Sequence, residues 1–586
     1  MLLVSEVSRW ERDMLRRWVV CGWLIFTFPI MAEAAANPVP TIGQPLSPTH
    51  RAPGSAGFVL TVKGTGFVSG SVVRWNGEAL RTAYRSAEKL TANVPASALV
   101  GPATAQITVL NPAPGGQSSN VALFSVTKTT PAASFFAYDR PATPAVNNSL
   151  VVGDFDKDGR IDIAAAMGTK IALLSSNGDG TFRVNSFPTT AQFVGTLVAG
   201  DFNGDGKLDL SFPDPVHNQL HTLLGNGDGT FAEVSLTPVG TKPSGAAAAD
   251  FNGDGELDLA VVSQSGANVF ILLGKGDGTF FRKSVLKVGS QPMAVTIADV
   301  NGDGQLDLAV VNSGSNTLSV LLGRGDATFS PQSLLATGAS PYSVVASDFN
   351  GDGRVDFAVT NRCGNATSCK SPAFASVTLL MGTADGTFAS TSLVLTNYHT
   401  PRGIAAGDFN ADGKQDLVVT GIGESNGLVL IGDGKGHFAL SDAVPHNTSG
   451  EFVALGDFNE DGRLDFAVNT SLNIDGSLYV GVEEQVPVSF YPTTLSFAPQ
   501  PGGTTSLPKT IRFANVGIKP VNIINAGVGG SYGGSNDCPA ALQVGEECTF
   551  TVTFTPRVVG FNWGSVGVRD DALNLVHAAA LNGRGK

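Results

Sequence analysis

Seven short acidic loops recur along this chain, and their side chains have the chemistry of ligands for a hard divalent cation. Each loop reads approximately Asp-Phe-Asn-Gly-Asp-Gly-x-Leu-Asp, with oxygen-bearing residues at alternate positions. The loops begin at residues 154, 201, 250, 299, 348, 408 and 457, so successive starts are 47, 49, 49, 49, 60 and 49 residues apart. Calcium takes about six to eight oxygen ligands, and one such loop can supply most of them. The sequence therefore predicts one calcium site per loop.

The predicted ligands are the side chains at the first, third, fifth and ninth loop positions and the backbone carbonyl at the seventh. Glycine at the sixth position permits the sharp turn that brings these oxygens together. Loops of this composition also form simple Asx-turns, but seven copies in register favour the metal site. The predicted calcium ligands are Asp154, Asp156, Asp158, Arg160, Asp162, Asp201, Asn203, Asp205, Lys207, Asp209, Asp250, Asn252, Asp254, Glu256, Asp258, Asp299, Asn301, Asp303, Gln305, Asp307, Asp348, Asn350, Asp352, Arg354, Asp356, Asp408, Asn410, Asp412, Lys414, Asp416, Asp457, Asn459, Asp461, Arg463 and Asp465.

The twelfth position separates these loops from the EF-hand, which carries a bidentate glutamate there. In this chain the twelfth residue is apolar in every copy: Ala165, Phe212, Val261, Val310, Val359, Val419 and Val468. The residues that leave each loop, such as 306–311, are aliphatic and β-branched, which indicates a buried strand. We therefore expect each loop to join two strands.

A second motif, close to Gly-Asp-Gly-Thr-Phe, follows most of the loops. It occurs at residues 177–182, 226–231, 275–280, 324–329 and 435–438. Asn-Gly and Asp-Gly pairs supply the positive φ angles of tight hairpins. One repeat is then strand, acidic loop, strand, strand, glycine turn, strand. Four antiparallel strands per repeat, seven times over, predict a seven-bladed β-propeller.

The two motifs together resemble the FG-GAP/VCBS repeats of integrin-α-type propellers, over residues 131–485. The resemblance implies calcium in the acidic loops on one face of the ring. We extend metal binding to every blade, because all seven loops have the ligand pattern. In that family, partners bind the opposite face, but no partner-contacting residues can be matched here.

The last repeat lacks the second motif, so its blade needs a strand from elsewhere. Residues 133–138, before the first loop, have the pattern of that missing outer strand. Pairing them with the last blade removes two open strand edges. The sequence therefore predicts that the ring closes between its first and last repeats.

Alternating short strands flank the repeats on both sides. Residues 38–127 resemble IPT/TIG immunoglobulin-like domains, and residues 489–586 resemble Hydin-like (ASH) immunoglobulin folds. The predicted fold class is thus all-β, a seven-bladed propeller with two immunoglobulin-like β-sandwiches. Assignments at the level of the fold say little about chemistry.

The amino terminus predicts export. Arginines precede an apolar run at residues 18–30 and then Ala32-Glu33-Ala34, the order of a signal peptide, assigned to residues 1–36. Close cysteine pairs, Cys363–Cys369 and Cys538–Cys548, fit an oxidising compartment. We expect a secreted or cell-envelope protein, monomeric and without a transmembrane segment after signal cleavage.

The net charge of −13 is explained by the loops, which hold 22 of the 50 acidic residues at the ligand positions. Bound calcium would offset this excess, so the acidity indicates no cationic partner and nothing suggests nucleic acid. The seven histidines are scattered, and His217 and His221 are a weak transition-metal candidate. No catalytic constellation is visible, and the protein is not predicted to be an enzyme.

The predicted function is a secreted or cell-surface calcium-binding propeller scaffold that mediates adhesion or the binding of an extracellular protein or polysaccharide. The alternatives are a carbohydrate-binding lectin and a propeller-based polysaccharide lyase or hydrolase. Residues 131–485 contain no tryptophan, which disfavours a sugar site in the ring. Residues 324–326 have the Arg-Gly-Asp sequence of an adhesive tripeptide, but they lie where the other repeats have the glycine turn. The extra residues at 361–371 are a candidate recognition loop.

Overall fold

The computed structural model describes residues 36–43, 45–129, 135–139, 149–363, 375–383, 387–395, 400–421, 426–445, 450–470, 478–483, 488–492, 494–515, 520–543, 546–570 and 576–586. These residues form strands and one short 3-10 helix, η1 (Ala96–Leu99), so the all-β prediction is confirmed. None of the described segments is a helix of the length and apolarity needed to cross a bilayer. The predicted signal peptide, except Ala36, and residues 364–371 of the insertion lie outside the described residues.

Residues 36–129 form two sheets that share one apolar core. The strands are β1 (Thr41–Ile42), β2 (His50–Arg51), β3 (Phe58–Thr65), β4 (Val72–Trp75), β5 (Glu78–Ala79), β6 (Arg81–Ser86), β7 (Lys89–Val94), β8 (Ala103–Leu110) and β9 (Ala122–Val126). Their orders are β1-β3-β7-β6 and β2-β9-β8-β4-β5. Alternate residues such as Leu60, Val62 and Ile107 are fully buried between the sheets. We call this unit the first sandwich.

In the described part of residues 135–483, seven four-stranded antiparallel sheets follow one another. Their strands are β10 (Phe135–Asp139), β11 (Leu150–Gly153), β12 (Asp162–Met167), β13 (Lys170–Ser176), β14 (Phe182–Pro188), β15 (Val198–Gly200), β16 (Asp209–Asp214), β17 (Gln219–Gly225), β18 (Phe231–Pro238), β19 (Pro243–Ala249), β20 (Asp258–Ser263), β21 (Asn268–Gly274), β22 (Phe280–Lys287), β23 (Pro292–Ala298), β24 (Asp307–Asn312), β25 (Thr317–Leu321), β26 (Ser333–Ala336), β27 (Pro341–Ser347), β28 (Asp356–Asn361), β29 (Ala375–Gly382), β30 (Phe388–Leu395), β31 (Pro401–Gly407), β32 (Asp416–Gly421), β33 (Asn426–Gly432), β34 (Phe438–Pro445), β35 (Gly450–Gly456), β36 (Asp465–Thr470) and β37 (Leu478–Glu483).

Each acidic loop joins the first strand of a sheet to the second, as predicted. The second strand is buried along its whole length in six sheets, from β12 to β32. The apolar twelfth-position residue is fully buried in all seven copies. A strand buried on both faces explains why these segments are continuously aliphatic rather than alternating.

The first strands of the sheets contact one another in cyclic order. Strand β11 contacts β15, the contacts continue through β19, β23, β27 and β31 to β35, and β35 contacts β11 again. The sheets are therefore arranged around a common centre, which is the arrangement of a propeller-like fold.

Phenylalanine pairs join neighbouring sheets. The phenylalanine at the second loop position of one sheet meets, edge to face, the one that ends the glycine turn of the next. The ring centroids are 5.6–5.9 Å apart in the pairs Phe155–Phe231, Phe202–Phe280, Phe251–Phe329, Phe349–Phe438 and Phe458–Phe182. The last pair links the final sheet to the first. Edge-to-face pairs of this kind contribute about 0.5–1.5 kcal/mol each beyond the area they bury.

The predicted closing strand is confirmed. Strand β10 pairs antiparallel with β37, with Phe135 opposite Glu483, and forms the outer strand of the sheet β10-β37-β36-β35. One sheet is therefore built from both ends of the repeat region. Residues 133 and 134 of the predicted segment lie outside the described residues.

Residues 488–586 form two further sheets, which we call the second sandwich. Its strands are β38 (Val488–Tyr491), β39 (Thr494–Ser496), β40 (Lys509–Asn515), β41 (Val521–Val528), β42 (Tyr532–Asn536), β43 (Ala541–Leu542), β44 (Glu547–Phe554), β45 (Gly560–Asp570) and β46 (Val576–Gly585). The orders are β38-β40-β44-β42 and β39-β46-β45-β41-β43. The predicted Cys538–Cys548 disulfide is present. Cys363 is also disulfide-bonded, while its predicted partner, Cys369, lies outside the described residues.

Strand β10 is expected to matter more than an ordinary outer strand. Replacing residues 135–139 by glycine and serine should lower the melting temperature of the whole ring, because the last sheet loses the outer strand that comes from the chain segment before the first sheet. The same replacement of residues 333–336, strand β26, is the control, since it leaves the closure intact. Equal losses in the two variants, measured by calorimetry, would contradict a special role for the closing strand.

Candidate functional site

The ninth-position aspartate of each loop is the first residue of a buried strand. All seven of these side chains have no solvent exposure. In the second loop, Asp209 Oδ2 accepts a hydrogen bond from the amide of Phe202 at 2.8 Å, and Oδ1 accepts one from the amide of Gly225 at 2.8 Å. The carboxylate thus ties the start of the loop to the end of the third strand. A buried charge requires such partners because it has lost its water.

The same clamp recurs along the ring. The ninth-position carboxylate accepts the amide of the second loop residue at 2.8–3.0 Å in all seven loops. In six loops the other oxygen accepts an amide at the end of the third strand, at 2.7–2.9 Å. Sequence analysis predicted these aspartates as metal ligands and did not predict their hydrogen bonds to the backbone.

Burial raises the pKa of six ninth-position aspartates well above the ordinary value of 3.8, although the backbone hydrogen bonds oppose the shift. The pKa is raised to about 7 for Asp162, about 6 for Asp209, about 8 for Asp258, about 7 for Asp307, about 6 for Asp356 and about 7 for Asp416. Neighbouring loop carboxylates add to the increase. Each loop is therefore a place where a cation close to the carboxylates relieves a large electrostatic cost.

The first loop tests whether the predicted ligands fit a cation. One oxygen each from Asp154, Asp156 and Asp162 lie within 4.8 Å of one another. Asp154 Oδ2 accepts the amide of Gly159 at 3.1 Å, whereas Asp154 Oδ1 is buried and accepts no hydrogen bond. A buried carboxylate oxygen without a partner is costly, and a calcium ion would satisfy it. The oxygens at the first, third and ninth positions therefore fit a hard cation.

The fifth and seventh positions differ between loops. In four loops a basic seventh residue forms an ion pair with the fifth-position aspartate, at 2.8–3.0 Å: Arg160–Asp158, Lys207–Asp205, Arg354–Asp352 and Lys414–Asp412. These partly exposed pairs contribute only about 0–1 kcal/mol each, so they are easily rearranged. The third loop has Glu256 instead, and burial together with Asp254 raises its pKa. Because the third loop has an acidic residue where those four loops have a basic one, we expect a bound cation to stabilise the third loop the most.

The first sandwich lies against the acidic loops, which sequence analysis did not predict. The amide of Val39 donates to Asp250 Oδ2 at 2.8 Å, and Thr49 Oγ1 donates to Asp408 Oδ2 at 2.9 Å. These partners are 211 and 359 residues apart in the chain, and no local pattern marks them. First-position carboxylates of the third and sixth loops are thus shared between the ring and the sandwich.

Further contacts extend this interface to other loops. Gln117 donates to Glu256 at 2.9 Å, Gln106 donates to the carbonyl of Gly159 at 3.0 Å, and Arg463 donates to the carbonyl of Lys128 at 2.8 Å. The loop side of the ring is therefore partly covered by the first sandwich. A partner that approaches from this side would meet the sandwich as well as the loops.

A cavity of about 780 Å³ lies between the first sandwich and the centre of the ring. Arg74 and Leu123 line it from the sandwich, and Val151, Ala199 and Leu455 line it from the first strands of three sheets. The cavity exists only because the sandwich covers the ring, so the sequence of neither unit indicates it.

The two histidines of the second sheet take part in ion pairs within the sheet. His221 is buried, its Nδ1 bonds to Glu233, and its ring stacks on Phe212 at 5.1 Å. His217 Nδ1 bonds to Asp214 at 2.8 Å. In the described residues, the histidine nitrogens are not gathered with two further ligands within 4.8 Å. The transition-metal alternative therefore has no geometric support there.

The tripeptide at 324–326 occupies the same turn as its counterparts. Asp326 Oδ1 accepts hydrogen bonds from the amide and hydroxyl of Thr328, as Asp228 does from Thr230 and Asp277 does from Thr279. Turn chemistry thus accounts for this aspartate.

Comparison with known families supports the repeat assignment. Residues 154–212, 214–261, 250–310, 299–359 and 408–468 match the profile described as FG-GAP-like repeat. Each matched segment contains at least one complete acidic loop. No match was found among curated proteins.

Several solved structures are similar at low identity. An auxiliary nutrient binding protein from Bacteroides ovatus is 11% identical, with 76% of this chain and 98% of that chain covered and a TM-score of 0.36. The hydrazine synthase of Kuenenia stuttgartiensis is 16% identical, with 60% and 98% covered and a TM-score of 0.42. The ASH / PapD-like domain of human CEP192 is 16% identical, with 17% and 85% covered and a TM-score of 0.14.

The clamp at the ninth position predicts a large effect for Asp209→Ala. The variant leaves two buried amides without an acceptor, at about 1–3 kcal/mol each, so the free energy of unfolding should fall by about 2–6 kcal/mol. Bound calcium should fall by one ion, measured by elemental analysis. Asp228→Ala, in the exposed turn of the same sheet, is the control and should retain the full calcium content. If the calcium content of Asp209→Ala is unchanged, Asp209 serves only to accept the two backbone hydrogen bonds and is not a calcium ligand.

The raised pKa values predict an unusual pH dependence in the metal-free ring. Between pH 3.8 and about 7 the folded state holds more protons than the unfolded chain, so its stability should decline as the pH rises through this window. Thermal unfolding in EDTA should show a lower melting temperature at pH 8 than at pH 5. Calcium should restore more stability at pH 8 than at pH 5, since it binds the ionised carboxylates. A melting temperature in EDTA that rises from pH 5 to pH 8 would contradict this assignment.

Proposed function

We propose that this protein is a secreted or cell-envelope binding scaffold, built on a seven-bladed β-propeller that calcium stabilises. Its partner is an extracellular protein or polysaccharide. The observation that carries the calcium assignment is the buried Asp154 Oδ1, which has no hydrogen-bond partner and faces two further carboxylates. The other six loops have oxygen-bearing side chains at the same four positions, with asparagine at the third.

The seven-bladed propeller is supported by the seven four-stranded sheets and by the cyclic contacts of their first strands. Strand β10, which precedes the first sheet in the chain and pairs within the last sheet, and the Phe458–Phe182 pair join the last sheet to the first. The first sandwich is proposed to be an IPT/TIG-like domain and the second an ASH-like domain. Two sheets around one core in each case support an immunoglobulin-like architecture.

In this proposal calcium acts as a structural ligand. The side chains at the first, third, fifth and ninth positions would hold it, together with the seventh carbonyl. Bound calcium supplies positive charge between carboxylates that the fold has already taken out of water. The ring then gains rigidity, and loops and flanking domains are held in fixed positions for recognition. We propose binding without turnover, because the sequence contains no catalytic constellation.

Calcium should raise the stability of the intact protein. Without a carboxylate at the twelfth position, the dissociation constants should be about 10⁻⁴ to 10⁻³ M, as in extracellular calcium modules. At about 10 mM calcium each occupied site would then contribute about 1.4–2.7 kcal/mol. Differential scanning calorimetry should show a higher melting temperature in calcium than in EDTA, with a smaller increase for Asp154→Asn. Magnesium at the same concentration controls for ionic strength.

The number of calcium ions bound per chain is measured by elemental analysis of protein dialysed against calcium. Up to seven ions per chain are expected, and fewer in Asp154→Asn. No bound metal, together with the same melting temperature in calcium and EDTA, would overturn the proposal.

A further inference from the structure

The second sandwich presents two aromatic side chains to solvent on one face of a sheet. Phe561 and Trp563 are each 69% exposed, although both belong to the central strand β45. Their ring planes lie within 18° of parallel, with centroids 6.1 Å apart. The intervening residue, Asn562, is buried on the opposite face. Large exposed aromatic surface is unusual in a soluble protein unless it serves binding.

The cross-strand neighbours of this pair are polar, while the apolar Val558 and Val559 are exposed just before β45. In the register of β45 with β46, Arg584 lies opposite Phe561, Asn582 opposite Trp563, and Ala580 opposite Ser565. Cross-strand partners share a face, so these side chains border the two rings. Ala580 and Ser565 are small and exposed, which leaves the aromatic rings standing above the sheet surface.

The charge at this end of the sheet is positive, in contrast to the net charge of −13 for the chain. The Arg584 guanidinium lies 5.7 Å from the centroid of the Phe561 ring. Arg557 and Lys586, which are exposed, lie just before β45 and just after β46. The basic groups therefore favour an anionic ligand beside the aromatic surface.

We propose that Phe561, Trp563 and Arg584 form a binding surface for an acidic polysaccharide, one that contains uronic acid residues. The two rings are nearly parallel and each residue is mostly exposed, so part of each aromatic surface is open to sugar rings, whose C–H groups carry partial positive charge and are attracted to an aromatic face. The guanidinium can bind a carboxylate in bidentate geometry. Asn582 and Ser565 add hydrogen-bonding groups at the border of this surface.

This surface gives the scaffold a partner class and rests on the proposed binding function, but it does not depend on calcium. The ring has no tryptophan between residues 131 and 485, so stacking on sugars is assigned to the second sandwich instead.

The test is binding of the full chain to polygalacturonate and alginate, with neutral dextran and xylan as comparison, by affinity electrophoresis and calorimetry. The wild type should bind the acidic polymers more tightly than the neutral ones. Trp563→Ala and Phe561→Ala should each weaken binding by about tenfold or more. Arg584→Gln should reduce the preference for acidic over neutral polymers. Leu507→Ala, an 86% exposed apolar residue of the same sandwich, is the control and should bind like the wild type.

Each variant should melt at the wild-type temperature and retain its calcium content, because the three side chains are exposed and distant in sequence from the loops. Absence of binding to the acidic polymers by the wild type overturns this proposal, and calcium binding measured on the same protein reports separately on the scaffold. Equal binding of neutral and acidic polymers overturns the assignment to uronic acids. A dimer that Trp563→Ala converts to a monomer, without polysaccharide binding, would instead assign the face to a second copy of the chain.

Discussion

The structure depends on seven aspartates that begin buried strands. Each of these carboxylates has lost its water, and six of them are held by backbone amides from two parts of the sheet. The hydrogen bonds alone do not compensate for burial, since the pKa of six of these aspartates remains raised to about 6–8. The fold therefore places negative charge where a cation or a proton is needed. That electrostatic demand is the physical reason to expect metal in the loops.

The loops also connect the sheets to one another and to the first sandwich. In five loops the second residue is a phenylalanine that meets a phenylalanine of the next sheet, while the first-position carboxylates of two loops accept hydrogen bonds from the sandwich. A cation in these loops would thus lie close to both kinds of interface. Changes in one loop are expected to affect its neighbours, because they share these contacts.

Recognition and rigidity are assigned to different parts of the chain. The ring is rich in glycine turns and buried aliphatic strands and has no tryptophan. The exposed aromatic pair belongs to the second sandwich, whose opposite face is an ordinary apolar core with Val566 and Val568 fully buried. Because a strand alternates its side chains between two faces, β45 can stabilise the sandwich and present Phe561 and Trp563 at the same time.

Local regularities made much of this structure predictable. The acidic loop, the aliphatic run after it and the glycine turn recur at nearly constant spacing, so the strand order within a sheet and the closing strand β10 followed from sequence alone. The hydrogen bonds of Asp209, the contact of Val39 with Asp250 and the shared face of Phe561 with Arg584 did not. Each joins residues whose proximity depends on strand register or on how separate units pack. A repeat encodes its own turns and strands through short-range chemistry, whereas contacts between distant segments are set only when the tertiary structure forms.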